Sequence, residues 1–532
     1  MKADVIFQGG RIFRGLANGF AQAMAIGGGR VMALGDEALA LAGAHTRHVD
    51  LAGRCAIPAF HEAHMHLLAF GLGLSQVNLR AEQVATLAEL QTRLRDAAAA
   101  TPGAWILGRG YDHAALDIGR HPSIAELDAA APHNPVFITR ACGHMGVANS
   151  AALRAAGIGH NTPDPQGGVI ERRDGALTGL IQERALSLIK AAMPEPTPAR
   201  LVDAIEAAGQ HLATLGFASA TDMNLGMSAG MAEVAAYQEA EATGRLQQRM
   251  WLVLAANPDG IERAAWEMGI RPWSPLGRDA GPMLRFGGAK VFADGSAGGL
   301  TAAFLDSYLQ GGHGQMIFPD DQMQAMLAAL HDAGWQLDIH AIGDAAIEQV
   351  LHAMELAGAT PDRRHRIEHC GFPNRHQRRR MLARGIIPVP QPVFLYEFGD
   401  LYVTNLGETR AAASYPMRTW LEEGAHPAAS SDAPVCTPDP FVNLFTMTTR
   451  RTNRGTILGA GETLTIDQAV HAYTWCGAYS SFSEGTRGTL EPGMDADIAV
   501  LSRDIFDGPP EALLETRCDI TLRGGLPIHG AL

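Results

Sequence analysis

The stretch that decides the fold is Ile57-Pro-Ala-Phe-His-Glu-Ala-His-Met-His66. It has the pattern of a short apolar strand whose end carries His64 and His66, two residues apart. Because alternate side chains of a strand point the same way, His64, His66 and Glu62 share one face. Two imidazoles side by side at a strand end form half of a first-row metal site. Two solvated loop histidines are the plain alternative, so the rest of the chain must supply the missing ligands.

Length and composition indicate an ordinary globular protein with more than one domain. The chain has 532 residues, is 47% hydrophobic and 18% charged, and contains 60 Gly and 29 Pro. This length exceeds the size at which a single core stops growing. A formal net charge of -14 argues against nucleic acid or an anionic membrane surface as the main partner. The expected partner is a small-molecule substrate.

The cellular setting is inferred from cysteines and from apolar segments. Six widely separated cysteines, with no CxxC pair, fit a reducing compartment. The N-terminus has no apolar leader pattern, and no uninterrupted apolar stretch is long enough to span a bilayer. We therefore expect a cytoplasmic protein without a membrane partner, and a homodimer is the default expectation for its assembly.

Short strands with glycine turns begin and end the chain. Residues 1–56 and 485–532 both alternate apolar and polar residues between Gly-rich turns. Neither segment carries enough apolar surface to fold alone, so the two ends are predicted to pair into one composite β-sandwich domain. Residues 57–484 would form the main domain. Within it, residues 70–195 are too long for a connector and predict an inserted subdomain.

A regular alternation of helices and strands follows residue 198. With the strand at 57–66, it predicts strands at 217–222, 249–254, 284–292, 336–340, 366–369, 386–391 and 427–431. Eight strands with intervening helices are the count of a (β/α)8 barrel. The predicted fold is therefore an α/β, TIM-like barrel, which places its active site at the carboxyl ends of the strands.

Five of these strand ends carry residue types that bind metals. They are His64 and His66 on strand one, Lys290 on strand four, His340 on strand five, His369 on strand six and Asp432 on strand eight. Taken singly, each has a structural alternative, such as a core histidine, an ion-paired lysine or a turn-capping aspartate. Their joint occurrence at one end of the barrel indicates a metal site.

Longer motifs surround these residues. They are His-Met-His at 64–66, Gly108-Arg-Gly-Tyr-Asp, Cys142-Gly-His-Met-Gly, Thr162-Pro-Asp-Pro, Lys-Val-Phe-Ala-Asp-Gly-Ser at 290–296, Ile-His-Ala-Ile-Gly-Asp at 339–344, Arg-Ile-Glu-His at 366–369, Ser-Asp-Ala-Pro-Val at 431–435 and Gly-Thr-Leu-Glu-Pro-Gly-Met-Asp-Ala-Asp at 488–497. In these motifs the chain resembles the amidohydrolase superfamily. The branch it resembles is amidohydrolase 3, which includes N-substituted formamide deformylases and YtcJ-like proteins.

The resemblance implies a binuclear metal centre, with zinc as the expected metal. The implied ligands are His64, His66 and Asp432 for the first ion, His340 and His369 for the second, and a Lys290 carboxylated by carbon dioxide as the bridge between them. A carbamate is an anionic oxygen ligand, whereas a protonated lysine repels a cation. Carboxylation needs the neutral amine, which burial favours.

The implied reaction is hydrolysis of an amide-type C–N bond, of the N-substituted formamide or N-acyl amine class (EC 3.5). Two metals lower the pKa of a bridging water and polarise the carbonyl. Asp432 would accept the proton of that water and return it to the leaving amine. The same centre would also serve for a carbamate, a carboxylic ester or a lactone.

A serine hydrolase is the alternative from a different mechanistic class. Gly226-Met-Ser-Ala-Gly matches the G-x-S-x-G pattern of a nucleophile elbow, with Ser228 as the nucleophile. Chance matches are expected in a chain rich in Gly, Ala and Ser. Chelation separates the two classes, since a serine hydrolase keeps its activity without metal.

Two departures from the family pattern occur on strand one, where the usual motif is Gly-Phe-x-Asp-x-His-x-His. Ala59 and Glu62 replace its Gly and Asp. Glu62 is predicted to accept a hydrogen bond from a ring N–H of a ligand histidine, and His61, which points the other way, is expected to be structural. Asp344 is expected to cap the helix that follows it. Further candidates for contacting substrate or supporting the ligands are Tyr111, His144, Asp294, Ser296, His313, Gln391 and Arg418.

Overall fold

The computed structural model describes residues 2–80, 83–140, 145–165, 167–274 and 283–532. The chain forms two compact units. One consists of Met1–Phe70 with Leu201–Leu532, and the other is Gly71–Arg200. The domain limits predicted from the sequence, 1–56 with 485–532, 57–484 and 70–195, stay predictions.

Parallel strands form the barrel of the larger unit. In their order across the sheet they are Phe60–Met65, Phe217–Leu225, Arg249–Ala255, Leu284–Phe292, Gln336–Ala341, Arg366–His369 and Ile387–Val389. Every neighbouring pair is parallel, so all the carboxyl ends meet at one end of the barrel. The strands are almost wholly buried, as expected where helices cover a parallel sheet.

The prediction of an eighth strand at 427–431 was wrong, because this segment joins no strand ladder in the structure. It lies between the first and last strands of a nearly closed barrel. The Ala428 N–H donates to the Pro388 carbonyl, and the Asp432 N–H donates to the His64 carbonyl. Pro427 has no N–H to offer a ladder, and the Ser431 N–H donates to a carboxylate rather than to a strand. Single hydrogen bonds therefore take the place of a strand ladder here.

Two adjacent glycines let the fourth barrel strand approach its neighbours closely. A Cβ at Gly287 would lie 1.7 Å from the Trp251 ring, and a Cβ at Gly288 would lie 1.5 Å from Asp338 Oδ2. Only glycine fits such positions. The missing side chains leave room in the barrel for the buried carboxylate of Asp338.

Strands from both ends of the chain form one eight-stranded sheet. They are Val5–Gly15, Gly19–Gly27, Arg30–Leu34, Arg47–Asp50, Cys55–Pro58, Ile498–Leu501, Cys518–Arg523 and Leu526–His529. The two ends meet where Cys55–Pro58 pairs antiparallel with Ile498–Leu501. Phe7, Met24 and Ile498 belong to the apolar core on this sheet. The ends do pair, while a sandwich of two sheets stays a prediction.

The unit Gly71–Arg200 carries its own mixed sheet and core. Its strands are Val77–Asn78, Ile106–Tyr111, Val136–Arg140, Met145–Ala148, Gly168–Arg173 and Ala176–Glu183, and its helices are Leu87–Ala100, Ile124–Ala130, Ser150–Ala155 and Leu186–Ala192. Two of the helices begin with capping boxes, formed by Thr86 with Glu89 and by Ser123 with Glu126. These local signals explain where the helices start.

Helices of the larger unit alternate with the barrel strands and extend beyond them. They are Gly35–Ala40, Leu67–Leu74, Pro198–Thr214, Met231–Ala242, Glu262–Glu267, Asp320–Asp332, Asp344–Leu356, Arg375–Arg384, Val393–Leu406, Glu408–Ala412, Met417–Glu422, Pro440–Thr449, Ile466–Ala472 and Trp475–Ser480, with 3₁₀ turns at Pro361–Arg363, Ala460–Glu462 and Pro510–Glu515. Asp344 is the first residue of its helix rather than its cap, and its carboxylate accepts from the Leu305 N–H. Within the described ranges, no helix has the length and apolarity needed to cross a bilayer.

Candidate metal centre

Two histidines and an aspartate converge at the carboxyl end of the barrel. Asp432 Oδ1 lies 3.3 Å from His64 Nε2 and 3.2 Å from His66 Nε2. One ligand atom from each of the three residues lies within 4.8 Å of the others. His64 and Asp432 are buried, and His66 is half-buried. Two imidazole nitrogens and a carboxylate oxygen in this arrangement can hold a metal ion.

The first two histidines are oriented by acceptors on their far sides. His64 Nδ1 lies 2.5 Å from Glu368 Oε2, and His66 Nδ1 lies 2.8 Å from the Met223 carbonyl oxygen. A carbonyl or carboxylate oxygen can only accept, so each Nδ1 carries the proton. Both Nε2 lone pairs therefore face Asp432, as metal binding requires.

A second histidine pair lies beside the first. The ring centroids of His340 and His369 are 4.4 Å apart, and those of His369 and His64 are 4.9 Å apart. His369 Nδ1 donates to Gln391 Oε1 at 2.6 Å, and His340 Nε2 donates to the Gly295 carbonyl at 3.1 Å. Because the donating nitrogen of each ring carries the proton, the lone pairs of His369 Nε2 and His340 Nδ1 are available to bind a metal ion.

Lys290 is buried among these groups, with 1% of its surface exposed. Burial lowers the pKa of its amine, against the opposing charges of Glu368, Asp432 and Asp338. A lowered pKa increases the neutral fraction of the amine, which is the form that reacts with carbon dioxide. The position of Lys290 is thus compatible with carboxylation.

Unpaired buried atoms make this donor set suitable for metal. Among the described residues, His64 Nε2, Lys290 Nζ, His340 Nδ1 and Asp432 Oδ1 are buried and have no hydrogen-bond partner. Leaving several such atoms unpaired is costly, and nitrogen and oxygen donors of this kind suit a divalent cation. Burial opposes ionisation of Asp432, yet His64 and His66 hold its pKa well below the usual range. The carboxylate is therefore present as the anion.

A charged cluster lies in the barrel interior beneath the histidines. The Arg366 guanidinium donates to Glu368 Oε1 at 2.7 Å, to Glu368 Oε2 at 3.0 Å and to the Ala63 carbonyl at 2.7 Å. Its Nε also lies 3.0 Å from Asp338 Oδ1. All three charged side chains are fully buried. Burial raises the pKa of Asp338, whereas Arg366 and His64 outweigh burial and lower the pKa of Glu368. Glu368 is therefore the ionised carboxylate that orients His64.

Sequence reasoning missed Glu368, although it stands in the motif Arg366-Ile-Glu-His369. A signal was present, because Arg366 and Glu368 alternate with Ile367 along a strand. Two charges on one face of a central barrel strand can only face the barrel interior or the covering helices. His369 escapes this alternation because its φ of +66° turns its side chain away from the regular strand direction.

We expect Glu368→Gln to weaken metal binding by about 10- to 100-fold, because the amide no longer holds the His64 ring as a charged acceptor. Competition with a chelating dye measures this affinity directly. Glu348→Gln is the matched control, since Glu348 pairs with Arg380 on the surface side of a helix. Equal affinities for the two variants would contradict an orienting role for Glu368.

The prediction that Glu62 bonds a ligand ring was wrong, because the rings already have other acceptors. Its carboxylate accepts from the backbone N–H groups of His64 and Ser431, at 3.2 and 2.9 Å, and from the Tyr473 hydroxyl at 2.8 Å. Burial raises the pKa of Glu62 to about 7. Glu62 thereby ties the first strand to the segment that carries Asp432.

Two other candidates support ligand histidines. Gln391 is buried and donates to the Val389 carbonyl and to Ser430 Oγ, both at 3.0 Å, which turns its Oε1 toward His369. Asp294 is buried and accepts from the N–H groups of Ile342 and Gly343, at 3.0 and 2.9 Å. Asp294 Oδ1 also lies 3.3 Å from His340 Nε2.

The remaining candidates have contacts of a structural kind. Ser296 accepts from the Gly299 N–H in an exposed turn. His313 is exposed, with Nδ1 3.2 Å from the Phe304 carbonyl. Arg418 is exposed and pairs with Glu422 one helical turn away. These contacts give no support to roles in substrate binding.

The two candidates from the unit Gly71–Arg200 cannot be placed at the centre. Tyr111 lies in the apolar core of that unit, and its hydroxyl is 2.8 Å from His121 Nδ1. His144 lies outside the described residues. Roles for both in substrate binding stay predictions.

Ser228 lies in a turn that a carboxylate caps. Glu233 accepts from the N–H groups of Gly226, Ser228 and Ala229 at 2.6 to 2.7 Å. Among the described residues, no histidine is hydrogen-bonded to the exposed Ser228 side chain. The Gly-rich turn serves as the start of the helix Met231–Ala242.

A parallel barrel with a histidine and aspartate cluster at its carboxyl end is the architecture of metal-dependent hydrolases. The model of the amidohydrolase family matches residues 47–529. The chain belongs to the amidohydrolase family and is a hydrolase.

Individual relatives agree with this assignment. The chain is 29% identical to YtcJ of Bacillus subtilis (strain 168) over 482 residues, which cover 88% of each protein. It is also 29% identical to the N-substituted formamide deformylase of Arthrobacter pascens, over 92% of this chain and 91% of that enzyme. The crystal structure of an uncharacterized metal-dependent hydrolase from Pyrococcus furiosus superimposes with a TM-score of 0.78, at 27% identity over 94% of this chain and 100% of that one.

Proposed function

We propose that the protein hydrolyses an amide-type C–N bond of the N-substituted formamide or N-acyl amine class, in a metal-dependent reaction. The observation that carries this proposal is the convergence of His64, His66 and Asp432 within 4.8 Å, with both imidazoles held in the ligating tautomer. Similarity to an N-substituted formamide deformylase over nearly the whole chain supports the choice of an amide bond.

The proposed ligands divide between two sites. His64, His66 and Asp432 would hold one zinc ion, His340 and His369 the other, and a carboxylated Lys290 would bridge them. The bound metals would supply activation of a water and polarisation of the substrate carbonyl.

The chain's own residues handle the proton. Asp432 is an anion in a buried setting, so it can accept the proton of the attacking water. Returning that proton to the departing nitrogen lets the amine leave in its neutral form. Glu62 and the His64 carbonyl accept the backbone N–H groups of Ser431 and Asp432, which helps to keep the Asp432 carboxylate aimed between His64 and His66.

Metal analysis with a turnover screen tests the proposal. We expect about two equivalents of zinc per chain and cleavage of N-substituted formamides or N-acyl amines that is lost on chelation and restored by zinc. ¹³C NMR after incubation with ¹³C-bicarbonate would show the carbamate of Lys290. One equivalent of metal and no carbamate signal would contradict the binuclear centre but leave metal-dependent hydrolysis in place.

The same screen decides between bond types. Carbamates, carboxylic esters and lactones belong in it, because an activated water attacks all of these carbonyls. Chelator-sensitive cleavage of one of these, with amides left intact, would overturn the proposed substrate class. Activity that survives complete metal removal would instead favour the Ser228 alternative.

A further inference from the structure

A small cavity lies at the end of the barrel opposite the candidate metal centre. Its volume is about 20 Å³, and it is lined by His61, Arg249, Met250, Trp251, Arg285, Ser481, Ser483 and Arg487. Arg249 is the first residue of its barrel strand and Arg285 the second residue of the next. The cavity is therefore at the amino ends of the strands, away from the reacting groups.

Positive charge exceeds negative charge around this cavity. Three of the lining residues are arginines, and the carboxylates paired with them are Asp495 and Asp497. Arg249 pairs with Asp497 at 2.5 Å, and Arg487 Nε lies 3.6 Å from Asp495. Within the described part of the chain, no ion pair involves Arg285. Among the described residues, three arginines thus have two paired carboxylates, and the unpaired arginine, Arg285, is the exposed one.

Polar atoms of the lining are also left without partners. Among the described residues, Arg249 Nε, Arg487 Nε and His61 Nδ1 are buried and have no hydrogen-bond partner. His61 is only 4% exposed. Burial and the neighbouring Arg487 lower the pKa of His61 to about 3, so the ring is neutral. Burial and Arg249 lower the pKa of Arg487 to about 10, as expected where cations crowd together without full compensation.

We propose that this cavity binds one monatomic monovalent anion, with chloride as the physiological ion. About 10–15 Å³ of space open to the centre of a water molecule is enough for one water-sized particle, so the 20 Å³ of this cavity, on the same measure, has room for one small ion. An anion accepts hydrogen bonds from several guanidinium groups at once and offsets their charge. A water molecule accepts fewer bonds and leaves the charge uncompensated.

The position of the cavity defines its role. Residues at the amino ends of barrel strands contribute to stability, whereas the opposite end carries the reaction. The anion would connect the first, third and fourth barrel strands to the segment 481–487. We therefore expect its binding to change the melting temperature and to leave the metal content unaltered.

Anion exchange on the holoenzyme tests the proposal. After dialysis into gluconate, addition of chloride or bromide at constant ionic strength should raise Tm saturably, by on the order of 1–3 °C. Crystals grown in bromide should give an anomalous peak in the cavity. Equal Tm values in gluconate, chloride and bromide, or density in the cavity without anomalous signal, would identify an ordered water and overturn the proposal.

The variant Arg285→Gln removes one positive charge from the cavity and tests its effect separately from any effect on folding. Arg285 is exposed and also lines the cavity, so its replacement should leave the fold and the metal content intact while abolishing the chloride-dependent rise in Tm. Arg263→Gln is the matched control, because it removes an exposed arginine from a helical ion pair. A chloride response that is equal in both variants would contradict the assignment.

Discussion

Asp432→Asn is expected to lower kcat/KM for the substrate found in the screen by about 10³-fold, equivalent to ~4 kcal/mol of transition-state stabilisation. The amide keeps an oxygen next to His64 and His66 but cannot accept a proton from water. We therefore expect the variant to retain most of its metal while losing turnover.

Two measurements define the Asp432→Asn experiment. Metal content by elemental analysis checks that the centre is intact, and kcat/KM is followed against pH to detect loss of the basic group. Asp507→Asn is the matched control, since Asp507 is exposed and distant in sequence from every proposed ligand. An Asp432→Asn enzyme with metal bound and full activity would contradict the role of Asp432 as proton acceptor.

Arg366→Met is expected to destabilise the protein by about 3–5 kcal/mol, the cost of breaking a buried ion pair. The guanidinium is fully buried and makes its bonds to Glu368 and to the Ala63 carbonyl inside the barrel. Without the guanidinium, the Glu368 and Asp338 carboxylates lose the cation that pairs with both of them. The orientation of His64 by Glu368 should be lost as well.

Denaturant unfolding and metal affinity measure the two parts of this expectation. Arg380→Met is the control, because Arg380 makes comparable ion pairs with Glu348 and Glu355 near the surface. If Arg366→Met does not fold, Arg366→Lys keeps the charge without the forked geometry and should show an intermediate loss. Stability of the Arg366→Met variant within 1 kcal/mol of the control would contradict this account of the cluster.

Local patterns in the sequence predicted the seven strands that form the barrel sheet, and the family resemblance supplied the proposed ligands. Alternation at the end of one strand placed His64 and His66 on the same face, and the family motifs marked Asp432 in the same cluster. These inferences rest on the two-residue period of a strand and on the rule that parallel strands end together. The strand period and the rule on strand ends both apply regardless of which residues the neighbouring strands carry.

Strand pairing at the barrel closure was not predictable in the same way. The segment 427–431 has strand-like composition, yet its backbone N–H groups donate singly to the Pro388 and Ala472 carbonyls and to the Glu62 carboxylate. Whether a segment forms a ladder depends on the distance between its neighbours after the barrel has closed. That distance is a property of all the other strands together.

The sequence by itself therefore determined the parallel barrel and the family, and it supplied the residues proposed to bind metal. Only the tertiary structure decided which acceptor holds each histidine, as in the contact between His64 and Glu368, and which arginines surround the cavity at the other end. The physical reason is distance along the chain. Periodicity describes neighbours within a few residues, whereas His64 and Glu368 are 304 residues apart and meet only through the register of packed strands.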